Sequence, residues 1–482
     1  MKNITALLGF ILLTFALNAQ NKPDDFLSSA FHKERRALVR EKMPANSVAV
    51  LFANPVRNRS NDVDYVYHQD PNFYYLTGYT EPHAVLLIFK EPQETPEGNT
   101  DEIIFVQPRN EMAEMWTGRR LGTAGVSEQL ALNTVFNNTE FADYNIDFTK
   151  FDKVLFYDFF NDVRDTNNKA DLYDLIAAFK QKVNYPSQAD LELEPKANNL
   201  DMETLDQIMK DLRGIKTKEE IDLLRKAVDI SCIAQREVMK AMRPGMSERE
   251  VQGIHEFIFK KYQAEYEGYP SIVGAGHNGC ILHYIDNYKP EIESDEMILM
   301  DLGAEYHGYT ADVTRTIPVD GKFSKEEKAI YDLVYKAQQA AIEACKPGMN
   351  IARDLDMAIA RRIINEGLVE LGIIDSVSQK HLYYPHGLGH HIGLDVHDKG
   401  NYEYLEPNMA ITIEPGIYIP KGAPCAKKWW GIAVRIEDDI LITEDGYELL
   451  SDKAPRKSDE IEALMKEPSP LDAFILPSLG EE

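Results

Sequence analysis

Cysteine is scarce in this 482-residue chain: four residues, Cys232, Cys280, Cys345 and Cys425, with no CxxC pair among them. That excludes a zinc knuckle or a dithiol redox motif, and scattered single cysteines read as buried free thiols rather than disulfides. Basic charge is also short. There are 52 Lys and Arg against 79 Asp and Glu, a formal net charge of −27. No basic face is evident, which excludes nucleic acid as a partner. The acidity reads as a solvated surface that keeps the protein soluble. The apolar run "ITALLGFILLTFAL" near the N-terminus falls short of the ~20 residues a bilayer span requires.

That run has the pattern of a secretory signal instead. Lys2 precedes it, "NAQ" follows, and cleavage after Ala19 fits, although Leu17 stands where a small residue is usual. No cysteine follows that could carry a lipid anchor. Residues 1–22 are therefore read as a signal peptide. The mature protein is expected to be exported, periplasmic or secreted, with no stable membrane span.

Residues 23–200 alternate strand-like and helical patterns. "SVAVLF", "AVLLIF", "EIIFVQ" and "KVLFYD" are short apolar runs, while "FHKERRALVREKM" and "DLYDLIAAFKQKV" have helical apolar spacing. Together they predict an α/β domain. The polar stretch "NYPSQADLELEPKANNLD" reads as a linker or surface excursion. A second domain spans 201–466, opening with the long helical pattern "KTKEEIDLLRKAVDISCIAQREVMKAM", and residues 467–482 form a tail expected to be loosely held.

The second domain repeats itself. "RPGM" begins at Arg243 and "KPGM" at Lys346, each between two helical patterns. The helices that follow are predicted to bury Val251, Ile254 and Phe257 in one case and Leu355, Ile359 and Ile363 in the other. Each half then supplies a histidine-bearing stretch: "CILHYI" with His283, and "YPHGLGHHIGLDVHD" with His386, His390, His391 and His397. Each also supplies a strand that ends in an acid with a glycine two positions on, "MILMDLG" with Asp301 and "AITIEPG" with Glu414. A second acid follows on a further strand, Asp312 and Glu437. A period of this size marks a duplicated domain half rather than a solenoid. Two such halves related by a pseudo-twofold axis would face these acids across one cleft.

Taken singly, each acid has a plainer reading. Asp312 suits a turn or a salt bridge, Glu414 before Pro-Gly marks a turn, and Asp438 and Asp439 are expected to be solvated or structural. Jointly they are harder to dismiss. Acids that close apolar strands are costly to bury without a counter-charge, and few basic residues lie near. In "VRIEDDI" the alternation of a strand puts Arg435, Glu437 and Asp439 on one face. Asp301, Asp312, Glu414 and Glu437 carry −4, which two divalent ions would balance. A hydroxide between two ions would be the nucleophile, and an imidazole from the histidine-rich stretch would complete the shell. Oxygen-rich ligation with one imidazole favours manganese, magnesium or a similar hard ion. Zinc, cobalt and iron stay open.

These motifs resemble a known family. "GCILHY", "DLGAEYHGYTADVTRTIPVDGKF", "HGLGHHIGLDVHD", "TIEPGIYI" and "RIEDDILIT" are similar to the catalytic domain of aminopeptidase P, the Xaa-Pro aminopeptidases of the pita-bread metallopeptidase superfamily. "RSNDVDYVYHQDPNFYYLTGYTEPHAVLLIF" and "WTGRRLG" extend the resemblance to the N-terminal domain. It implies an α/β protein: a creatinase-like N-terminal domain, then a pita-bread domain with internal duplication. It implies five ligands of a two-ion site, usually manganese: Asp301, Asp312, His390, Glu414 and Glu437, of which Asp312 and Glu437 bridge. Glu414 also corresponds to the proton shuttle. His283, His386 and His397 match the non-ligand catalytic histidines, and Arg435 a substrate-contacting arginine. Tyr269 matches a residue lining the proline pocket. Asp62 resembles an acid that reaches the active-site rim in oligomeric relatives, so a homo-oligomer, dimer or tetramer, is implied. His391 has no counterpart role and reads as packed or solvated.

The implied reaction removes the first residue from peptides with proline at position two. The prolyl nitrogen is a tertiary amide without N–H, so the ring has to be recognised by shape. The nearest alternative is prolidase, which cleaves Xaa-Pro dipeptides on the same scaffold. A non-catalytic pita-bread module that binds peptides is the alternative of another class. It is disfavoured because the full ligand set is present.

Overall fold

A computed structural model describes residues 23, 25–95, 98–186, 199–473 and 476. The signal segment at residues 1–22 and most of the linker stretch lie outside the described residues.

The first half is a mixed six-stranded sheet. Its order is Val135–Asn137, Gly98–Val106, Val85–Thr95, Ser47–Phe52, Lys153–Phe156 and Leu200–Asp201. The central strand Ser47–Phe52 pairs antiparallel with Val85–Thr95 and parallel with Lys153–Phe156. Its unbroken apolar run is explained by burial on both faces. Val48 and Val50 join a core with Leu175 and Phe179 of the helix Leu172–Lys182. Ala49 and Leu51 face the other way, into a core shared with Phe31 and Val39 of the helix Ser29–Lys42. That second core continues without a break into the rest of the chain.

The second half contains the duplication, visible down to single hydrogen bonds. The helices Lys218–Ala241 and Lys325–Ala344 each begin with a capping box, Thr217 with Glu220 and Ser324 with Glu327, which satisfies two otherwise orphaned N–H groups. Each helix runs into its Pro-Gly-Met turn. Gly245 and Gly348 adopt the left-handed conformation at φ +90° and +86°. Gly245 N donates to Ile292 O and Ile292 N to Met246 O, both at 2.9 Å. Gly348 N donates to Leu405 O and Leu405 N to Met349 O, both at 2.8 Å. The strands Ile272–Ala275, Met297–Leu302 and Val313–Pro318 form one antiparallel sheet, and Ala410–Ile413, Asp438–Ile442 and Tyr447–Leu449 the other. Glu437 N donates to Thr314 O at 3.1 Å, so the two sheets meet where their acids lie.

The glycine two positions after Asp301 has a steric reason. A Cβ at Gly303 would stand 1.6 Å from Ala311 O, and one at Gly389 would stand 2.0 Å from Thr412 O. Main chain touches main chain at both places.

The predicted faces hold in part. Leu355 and Ile363 are buried, and Ile359 is half-buried. Phe257 is 58% exposed. The helix Glu248–Lys261 buries Val251 as expected, together with His255, Ile258 and Phe259, and Ile254 is half-buried against the core. The four cysteines are free. Burial pushes the thiols of Cys232 and Cys345 up to about 12.

The halves are locked together by buried polar contacts. Arg213 and Lys216 both bind the Asp398 carboxylate, the Lys216 bond being 2.7 Å. Arg213 Nη1 also donates to Asn72 Oδ1 at 2.7 Å. His68 Nε2 lies 3.0 Å from both oxygens of Glu305.

Two buried histidines predict acid sensitivity. Burial pushes His32 down to about 4 and His255 down to about 3. Each is neutral in the folded chain and protonates near 6.5 when unfolded, so its contribution is complete above about pH 6.5 and is lost as pH falls through the folded value. Urea unfolding is expected to show a loss of roughly 1.4 kcal/mol per histidine at pH 5.5 relative to pH 7.5. The variant His255→Leu should lose less than the parent over the same interval.

Candidate metal centre

The acids converge at one end of the two sheets. Asp301 lies at the end of the strand Met297–Leu302, and Asp312 immediately before Val313–Pro318. Glu414 follows Ala410–Ile413, and Glu437 occupies the break between Ala433–Arg435 and Asp438–Ile442. Asp301, Asp312 and Glu437 are buried, while Glu414 is partly open. Ligand atoms of Asp312, His390 and Glu437 all lie within 4.8 Å of one another. His390 Nε2 is 3.5 Å from Asp312 Oδ2 and 3.5 Å from Glu414 Oε1. Asp301 is turned toward Arg435 and toward Tyr269, whose hydroxyl donates to Asp301 Oδ1 at 2.6 Å and also contacts Asp312 Oδ1.

The field in this cleft is strongly negative. Burial and three neighbouring carboxylates hold Glu437 well above the usual range, and burial lifts Glu414 to about 7. Burial pushes Asp301 up as well, against the pull of Arg435. Burial also opposes charge on Asp312, yet His390 and Tyr269 hold it below the usual value. His390 rises to about 9 despite burial, because Asp312 and Glu414 favour its cation. Among the described residues Arg435 is the single arginine placed among these acids, with Nε 3.9 Å from Glu437 Oε2. The one proton of the Tyr269 hydroxyl is shared between two carboxylate oxygens. Four carboxylates, one imidazole and one guanidinium fit hard divalent ions, which would supply the missing positive charge.

Three more histidines surround the acids. His386 Nε2 is 2.9 Å from Tyr418 Oη and its Nδ1 3.7 Å from Glu414 Oε2. The His397 ring packs 4.2 Å from that of His390. His283 is exposed, on the loop that follows Gly276–Cys280. Its loop is pinned from behind by the buried Glu248, which accepts from Ala275 N, Asn278 Nδ2, Tyr284 Oη and Lys289 N at 2.8–3.0 Å. His391 is fully buried, with Nε2 3.1 Å from Asn401 O. Asp62 stands exposed at the turn between Asn58–Ser60 and Val63–Asp64, and the structure does not bring it to this cluster.

Several participants went unnoticed in the sequence. Tyr418 Oη accepts from Arg435 Nη1 at 2.9 Å and so links the guanidinium to His386. Thr314 Oγ1 donates to Glu437 Oε2. Asp439 Oδ2 accepts from Asp312 N at 3.0 Å. Asp438 is fully buried against Arg315, Gln338 and Ser451. Both acids are structural, and neither is solvated. The period-2 alternation that aligned Arg435 with Glu437 was the signal for Asp439. Nothing in the local sequence marks Tyr418 or Thr314.

Comparison with known proteins agrees with this architecture. The model of metallopeptidase family M24 matches residues 222–444, and that of the aminopeptidase P N-terminal domain matches residues 32–155. The Xaa-Pro aminopeptidase of Haemophilus influenzae is 38% identical over 449 residues, 90% of this chain and 96% of that protein. The structure of aminopeptidase P from E. coli with the inhibitor Pro-Leu has a TM-score of 0.79 at 34% identity, covering 91% of this chain and 98% of that one. A zinc-substituted E. coli aminopeptidase P in complex with product aligns equally well, with a TM-score of 0.79 at 34% identity and the same coverage of both chains.

A cation that binds the folded cluster stabilises it by mass action, about 2.7 kcal/mol at 100 times Kd. Added Mn²⁺ is therefore expected to raise the melting temperature of metal-stripped protein. Asp312→Asn should remove most of that rise in the same thermal scan.

Proposed function

The chain belongs to metallopeptidase family M24 and is a metal-dependent Xaa-Pro aminopeptidase; we propose that Asp301, Asp312, His390, Glu414 and Glu437 hold two divalent ions, manganese by preference, and that the surrounding side chains place an Xaa-Pro peptide against them. The observation that carries this reading is the convergence of four carboxylates and four histidines from both halves of the duplication on one cleft. When bound, the ions supply a water activated at neutral pH and polarise the scissile carbonyl. Asp312, His390 and Glu437, whose ligand atoms lie within 4.8 Å of one another, would hold an ion between them. An oxygen-rich shell with one imidazole supports manganese over softer ions.

The chain's own groups divide the remaining work. The carboxylate-rich cleft favours the peptide's free α-ammonium. His283 and His397 line the cleft and donate to the carbonyl oxygen as its charge develops. Burial and the Arg435 charge push His386 down to about 4, so its neutral ring shares a hydrogen bond with Tyr418 and orients the peptide. Arg435 fixes Asp301 and, through Tyr418, His386. Glu414 passes a proton from its carboxyl oxygen to the prolyl nitrogen, which cannot leave without one. Tyr269 closes the floor beside the proline ring.

The reading extends to assembly and location. On the helix Glu111–Thr117, Trp116 is 87% and Met115 80% exposed. Large apolar groups left open in this way mark an interaction face, and they support a homo-oligomer, dimer or tetramer, in which the Asp62 turn reaches a neighbouring copy's cleft. Lys2 and the apolar run after it support export. Among the described residues no helix is long and apolar enough to cross a membrane.

A tripeptide Xaa-Pro-Xaa is expected to be cut between its first two residues by the Mn²⁺-loaded protein, with the dipeptide Xaa-Pro turned over far more slowly. Chromatography of the products checks this, and cleavage of the dipeptide alone would assign the activity to a prolidase. Glu437→Gln should lower both metal content and kcat/KM. A loss of several kcal/mol in transition-state stabilisation corresponds to roughly 10²–10³-fold in rate.

A further inference from the structure

The long helices Lys218–Ala241 and Lys325–Ala344 occupy equivalent places in the two halves. Each carries one wholly buried glutamine, Gln235 and Gln338. These lie 103 positions apart, the interval that also separates Gly245 from Gly348. Gln235 Nε2 donates to Met300 O at 3.1 Å and to Val313 O at 2.8 Å. Those carbonyls belong to the residues beside Asp301 and Asp312. Gln338 Nε2 shares its two protons among Ile413 O and Ile436 O, both at 3.0 Å, and Asp438 Oδ2 at 2.8 Å. Those carbonyls immediately precede Glu414 and Glu437. One amide in each half thus bridges the two main-chain segments that present that half's two carboxylates.

Both amides sit where ordinary strand pairing gives out. In the first half the ladder of Met297–Leu302 with Val313–Pro318 ends at Leu302 and Val313. In the second, Ile436 falls between two strands, and its N–H reaches Pro415 O only at 3.4 Å. Strands that open to admit a ligand lose the bonds that would hold them at a fixed spacing, and here a side-chain amide ties the segments together beside that opening. The tie carries a cost. Gln235 Oε1 is buried with no hydrogen-bond partner among the described residues, and a buried amide oxygen left unpaired is unfavourable. The two donated bonds are what this side chain contributes.

We propose that Gln235 and Gln338 are positioning residues of the metal centre, a duplicated amide clamp that sets the separation of Asp301 from Asp312 and of Glu414 from Glu437. The inference rests on the metal reading above. The glutamines touch neither substrate nor ion and act through the main chain of the ligands. Partners of this kind behind a metal site typically alter affinity by about 10–100-fold when removed.

The test is a calorimetric titration of the metal-stripped full chain with Mn²⁺, comparing the parent with Gln235→Met and Gln338→Met. Methionine keeps the volume and removes the donors. Each variant is expected to bind Mn²⁺ about 10–100-fold more weakly, with an unchanged circular dichroism spectrum and with peptidase activity recovered at saturating Mn²⁺. Gln235→Glu, which keeps the shape and donates once when protonated, should lose less. If the methionine variants do not fold, Gln235→Glu carries the comparison, with any measurable weakening of Mn²⁺ binding supporting the inference and parental affinity overturning it. Parental Mn²⁺ affinity in folded variants overturns the inference and leaves the metal reading intact. A parent that binds no Mn²⁺ overturns both.

Discussion

The mutual repulsion of Asp301, Asp312, Glu414 and Glu437 is the constraint around which the catalytic half is arranged. Like charges brought together away from water raise one another's cost of ionisation, and Glu437 shows this directly. Each neighbour answers it in a different way. Tyr269 spreads one proton over two oxygens, Arg435 neutralises one acid, and His390 is drawn toward its cation by two others. None of these supplies enough charge for four carboxylates. A pair of divalent ions does.

Duplication makes such a site easier to build. One half contributes two acids at the ends of paired strands, and repeating it across a pseudo-twofold axis yields four acids facing inward. The equivalence extends to the Pro-Gly-Met turns and to the hydrogen bonds that close them. It breaks in the histidines. One half supplies His283 on an exposed loop, and the other supplies His386, His390 and His397 within one stretch. The centre is symmetric in its carboxylates and asymmetric in its histidines.

Much of this was legible in the sequence because it is local and periodic. Apolar runs such as "SVAVLF" located the strands of the first domain, the spaced Pro-Gly-Met turns revealed the duplication, and acids closing apolar strands pointed to the cleft. What could not be read depends on contacts distant in the chain. Phe257 was expected in the core from its spacing, yet the fold buries His255 and leaves Phe257 in solvent. Whether Asp438 was solvated or structural could not be decided until Arg315, 123 positions earlier, was brought against it. Tyr418 carries no chemical signature of its own, and its role comes entirely from lying between His386 and Arg435. Glu248 gives no hint in sequence that four donors from one loop converge on it.

The close approach of main chain to main chain at Gly303 and Gly389 has a further consequence. Where a single Cβ would collide with a carbonyl of the neighbouring segment, two stretches of main chain beside Asp301 and His390 touch with no side chain between them. A substituent at either glycine would push those stretches apart.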